Sequence, residues 1–71
     1  MIKTLVELRT HAGLTQQELA GMLGRHRSYI WKTEGGQRRL DLIEFVKWCR
    51  VCGADPEEVF GPLASAVPKG R

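Results

Sequence analysis

Apolar residues recur at three- and four-residue intervals along most of the chain, and no stretch alternates as a strand would. Leu5, Leu8 and Ala12 predict a first helix over about 2–12, ended by Gly13. Leu19, Ala20 and Leu23 predict a second over about 16–23. Thr15 caps it, Glu18 completes a capping box and Gly24 closes it. A third is predicted over 26 to 33 or 34, broken by Gly35-Gly36. A fourth covers about 42–52, with Asp41 as cap and Glu44 closing a second box. Leu42, Phe45, Val46, Trp48, Cys49 and Cys52 form its broad apolar face, and Gly53 ends it. A short fifth helix covers 56–60, with Asp55 as cap, Pro56 at its first position and Glu58 closing a third box. Gly61-Pro62 is expected to stop it. The pattern predicts an all-α, compact five-helix bundle occupying residues 1–61, with a loose tail over 62–71.

Helix two, a short turn at Gly24-Arg25 and helix three make a helix-turn-helix over about 15–34. In such a motif the second helix enters the major groove of DNA and presents residues near its N-terminus to base edges. The third helix has the required two faces. His26, Ile30 and Thr33 fall on one side by spacing. Arg27 and Trp31 are four apart, as are Ser28 and Lys32, and these four form the opposite, polar and basic patch.

Charge sharpens this picture. The net charge of +3 is modest, but residues 1–40 carry seven cations against three acids, whereas residues 41–71 carry four against five. The excess sits almost wholly between Arg25 and Arg39, the footprint expected of a phosphate-contacting surface. At 71 residues the chain is one small domain of marginal core. No apolar run approaches a membrane span, and Met-Ile-Lys-Thr-Leu lacks a signal-peptide core, so a cytoplasmic location and no membrane partner are expected.

Cys49 and Cys52 are spaced C-x-x-C, yet His11 and His26 lie too far off to complete a zinc site. The pair falls late in a helix, not at a thiolate-stabilising N-terminus, and reads as reduced core thiols. There is no glycine-rich phosphate loop, nucleophile elbow or metal cluster. No enzyme, metal or cofactor is expected.

The run LTQQELAGMLG followed by RSYIWKTEGG resembles the Cro and phage-repressor type of helix-turn-helix, the xenobiotic-response-element-like (XRE-like) family. The resemblance covers Leu5 to about Phe60 and rests on Leu14-Thr15-Gln16, Leu19-Ala20, Gly24, Ile30, Glu34 and Gly36 at matching spacings. It implies a lambda-repressor-like fold and a regulator of transcription, with repression favoured. Arg27 and Ser28 match the early base-reading positions and Lys32 the later one. Gln16 matches the position that touches the DNA backbone and braces the reading helix. Arg38 and Arg39 match a loop running along phosphates, and Arg9 and Glu34 a recurrent structural salt bridge. Arg25 stands where the family places a small apolar residue, Thr33 where it places an aliphatic one, Trp31 where it is often small or polar, and Gly35 where asparagine is common.

Several roles stay open at this level. Ser28 is read as contacting a base, with phosphate contact or helix capping as alternatives. Trp31 is read against a thymine methyl, stacked beneath Arg27, or packed at the rim. Arg25 and Tyr29 are assigned to phosphate, with surface packing the alternative for Tyr29. His26 near a phosphate is a secondary reading, and His11 is read as a solvated helix end. The partner expected is double-stranded DNA with a palindromic operator, bound by a homodimer, with helix five and Trp48 as interface candidates. Two rival readings are an antitoxin that also binds a toxin partner, and a protein-interaction module on the same fold without DNA binding.

Overall fold

A helix leaves its first four backbone amides without intrahelical partners, and four of the five helices among the described residues begin at a side chain that takes one of them over. The computed structural model describes residues 1–67. Its elements are α1 (Ile2–His11), α2 (Gln16–Leu23), α3 (Arg27–Glu34), α4 (Leu42–Val51) and α5 (Pro56–Ser65). There is no strand among the described residues, and none of their helices is long and apolar enough to cross a membrane.

Two of the predicted capping boxes form. The Thr15 hydroxyl accepts from the Glu18 amide at 3.0 Å, and Glu18 accepts from the Thr15 amide at 2.9 Å. Asp41 and Glu44 reciprocate in the same way at 2.8 and 2.9 Å. The third box does not form. Asp55 accepts from the Glu57 amide at 2.9 Å, leaving Glu58 outside the cap. A residue before proline is confined to extended backbone, and Asp55 sits at ψ 116° against 165° at Thr15 and 172° at Asp41.

Helix α5 also departs from expectation at its other end. It continues through Gly61 and Pro62 to Ser65, five residues past Phe60. Proline inside a helix forfeits one backbone hydrogen bond, but beyond it the Ala66 amide still reaches the Pro62 carbonyl at 3.1 Å. Leu63, one residue after the proline, packs half-buried against the core, which rewards the continued helix. Of the tail expected over 62–71, residues 62–65 are thus helical, and 68–71 lie outside the described residues.

The core is built from Leu5, Leu19, Ala20, Ile30, Phe45, Trp48 and Cys49, with Thr33 the one buried polar residue among those described. Thr33 satisfies its hydroxyl by donating to the Tyr29 carbonyl at 2.6 Å. Trp48 is fully enclosed, and its indole N–H donates to the Leu5 carbonyl at 3.2 Å, tying α4 to α1. That enclosure removes Trp48 from the dimer-interface candidates. Leu42, expected on the apolar face of α4, is instead exposed at the helix start. Cys49 and Cys52 are free thiols, the first buried and the second half-buried. Burial pushes both thiols above the ordinary cysteine value.

Candidate nucleic-acid interface

The turn between α2 and α3 depends on Gly24, which takes the left-handed conformation at φ 67° and ψ 32°. The chain reverses there, and the Arg25 amide donates back to the Ala20 carbonyl at 2.8 Å. Helix α3 then starts at His26. Its Nδ1 accepts from the Ser28 amide at 3.1 Å and lies 3.0 Å from the Ser28 hydroxyl. The histidine, exposed rather than turned inward with Ile30, is therefore the cap, and Ser28 is not.

Ile30 and Thr33 anchor the inward side of α3. Around the rest of its circumference the helix is held on both flanks, and its outward arc is left open. On one flank, Glu34 receives Arg9 through two bonds, from Nε at 2.7 Å and Nη2 at 3.1 Å. The same carboxylate accepts from Gln16 Nε2 at 3.1 Å, while Arg9 also donates to the Leu14 carbonyl at 2.9 Å. Three elements thus meet at Glu34: α1, the start of α2 and the end of α3.

On the other flank, two guanidinium groups lie over the Tyr29 ring. Arg25 stands 4.7 Å and Arg38 4.4 Å from its centroid, distances at which the ring quadrupole attracts a cation. Glu44, reaching over from α4, receives Arg38 through bonds of 2.7 and 3.2 Å and lies 3.7 Å from Arg25. The Arg38 hydrogen bond, with help from Asp41 and Tyr29, holds the Glu44 carboxyl down at about 2. Burial, and then the neighbouring Glu44, push the Tyr29 phenol up.

The outward arc carries Arg27, Trp31 and Lys32, all exposed, with Ser28 half-buried at its edge. Among the described residues, Arg27, Lys32 and Arg39 form no ion pair. His26, Arg27, Ser28 and Trp31 line a shallow groove of about 230 Å³. Trp31 does not stack beneath Arg27: the cation–π contacts among the described residues are those at Tyr29. The sequence-predicted residues therefore divide in three. Arg27, Trp31, Lys32 and Arg39 lie exposed, with Ser28 half-buried. Arg25, Tyr29 and Arg38 are gathered round Glu44. Arg9, Gln16 and Glu34 brace the helix. Glu44 itself was legible only as a capping residue. Its partners lie in the turn after α2 and the loop after α3, at separations that no helical spacing announces.

A pinned helix presenting unpartnered cations and an indole, set behind a tight turn on α2, defines a helix-turn-helix protein. The helix-turn-helix domain family matches residues 3–59. Among solved structures, an XRE-family like protein from Pseudomonas syringae pv. tomato is similar, with 46% identity and a TM-score of 0.86 over 94% of this chain and 82% of that one. The restriction-modification controller protein C.AhdI from Aeromonas hydrophila is 39% identical, with a TM-score of 0.73 over 83% of this chain and 89% of that one. A search of curated proteins gave no match. The chain belongs to the XRE-like helix-turn-helix family. It is a DNA-binding regulator of transcription.

Proposed function

We propose that this protein represses transcription by seating α3 in the major groove of a short duplex operator, two copies binding one palindrome. The observation that carries the reading is the contrast around α3. Both flanks are tied by charged hydrogen bonds, while Arg27, Trp31 and Lys32 are exposed with no ion-pair partner for either cation among the described residues, and Ser28 lies half-buried beside them. Arginine takes guanine through its O6 and N7 acceptors, and an indole suits a thymine methyl. Gln16, Arg25, Tyr29, Arg38 and Arg39 are the proposed phosphate contacts, which position the protein without reading sequence. The likeness to a restriction-modification controller protein over most of both chains fits a regulator of transcription.

One reading helix spans only a few base pairs, so a homodimer on half-sites about one helical turn apart is the economical arrangement. Helix α5 remains the interface candidate, with Phe60 exposed on it at the edge of the Phe45 ring. Selection of bound duplexes from a random pool tests the reading. Enrichment of a palindrome with half-site centres about 34 Å apart is expected. A pool that stays random after repeated rounds would overturn it. A reporter downstream of the enriched site, silenced by the protein, tests repression against activation.

A further inference from the structure

Glu44 is an acidic group placed inside a surface whose task, on the reading above, is to meet phosphates. Its side chain is 11% exposed, against 51% for Arg25 and 34% for Arg38, so the carboxylate lies beneath the two cations it serves. Oε1 accepts from Arg38 Nη1 at 3.2 Å and from the Asp41 amide at 2.9 Å. Oε2 accepts from Arg38 Nη2 at 2.7 Å and stands 3.7 Å from Arg25 Nη2. Both guanidinium groups lie over the Tyr29 ring, at 4.7 and 4.4 Å from its centroid. Lys47 and Leu23 complete the wall of the small recess that holds the carboxylate.

Two consequences follow from elementary electrostatics. First, two cations sharing one buried anion present one net positive charge instead of two. Non-specific affinity for duplex DNA rests on the number of cations free to displace counterions from phosphates, so the anion lowers it. Second, a guanidinium held by two bonds and a ring face cannot swing to whichever phosphate is near. It meets one only where the duplex is already seated in register. A fixed side chain has, however, little freedom left to lose on correct docking.

We propose that Glu44 is a specificity-determining positioning residue of the DNA interface: by holding Arg25 and Arg38 against Tyr29 it suppresses binding to random duplex more than binding to the selected site. The proposal rests on the DNA-binding reading of this face and adds to it an internal counterion that sets the ratio between the two kinds of binding.

Glu44→Gln isolates the charge. Glutamine at the third helical position also closes a capping box, so the start of α4 survives. The full-length variant and wild type are titrated against the duplex enriched from a random pool and against random-sequence duplex, each over a range of salt. For random duplex, Glu44→Gln raises affinity, and its log–log salt slope steepens by about one unit. The ratio of selected to random affinity falls. A gain of affinity cannot come from unfolding, which separates this role from a purely structural one. Adding Arg38→Gln to the variant returns the slope to the wild-type value. An unchanged slope and ratio, or parallel weakening on both duplexes, overturns the role of Glu44 while leaving the DNA-binding reading intact. If the wild type enriches no sequence at all, both fall together.

Discussion

Arg27 and Arg39 carry the same charge and share an absence of ion-pair partners among the described residues, yet they stand in different places. Arg27 begins the outward arc of α3, whereas Arg39 lies in the loop before α4. A base contact and a phosphate contact leave different signatures when removed. Arg27→Ala is expected to cost about 1–3 kcal/mol at the selected site and to relax preference at one base position. Repeating the pool selection with the variant checks this, and an unaltered preference would remove Arg27 from the readers. Arg39→Ala should weaken selected and random duplexes alike and flatten the salt slope by about one unit. Titration at several salt concentrations decides it, since a wild-type slope excludes a phosphate contact. Tyr29 illustrates how far a residue's role depends on neighbours remote in sequence. Read alone it offers a hydroxyl to phosphate. In the fold its ring is a platform for two arginines, and burial and the neighbouring Glu44 hold its phenol protonated to higher pH.

At the scale of the element, the helix starts were legible where a short rule governs them. Thr15 with Glu18, and Asp41 with Glu44, form boxes because each cap needs only the backbone three residues ahead. The stop at Gly61-Pro62 failed because local propensity was outweighed by tertiary contact: Val59 and Leu63 pack against the core, and the helix joining them runs on. His26 as a cap was hidden for a different reason, since an imidazole nitrogen accepts like an Asn or Ser oxygen but is a rarer cap. The brace at Glu34 was suggested by family likeness, and the structure adds the Gln16 bond to it. Its strength is testable. With side chains only 14% and 7% exposed, Arg9 and Glu34 lose little of their attraction to solvent. Glu34→Ala strands a partly buried guanidinium and is expected to cost about 2–4 kcal/mol. Urea denaturation measures this directly, and a loss below about 1 kcal/mol would class the pair with ordinary surface ion pairs.

At the scale of the whole molecule, a 71-residue domain has little stability to spare, so the groups whose ionisation differs between folded and unfolded chains set its pH limits. On the acid side the relevant group is Glu44, held at about 2 against an ordinary 4.5. Its folded form binds its proton less readily than the unfolded form does. Its contribution is therefore complete above about 4.5 and is lost as pH falls from there toward about 2. On the alkaline side, burial raises Cys49 and Cys52 from 9.0 and Tyr29 from 10.0. These groups favour the folded state while protonated, and that preference fades as pH climbs past 9.0 for the thiols and past 10.0 for the phenol. Thermal melts across pH should accordingly show a falling acid limb between about 4.5 and 2 that becomes shallower in Glu44→Gln. The alkaline limb should stay in place in that variant until Tyr29 ionises, because the charges acting on the thiols are Asp55 at Cys49 and Arg9 and Glu34 at Cys52, not Glu44. An acid limb of equal depth in the variant would mean that other carboxylates carry the acid sensitivity and that the Glu44 cluster is not an electrostatic support of the fold.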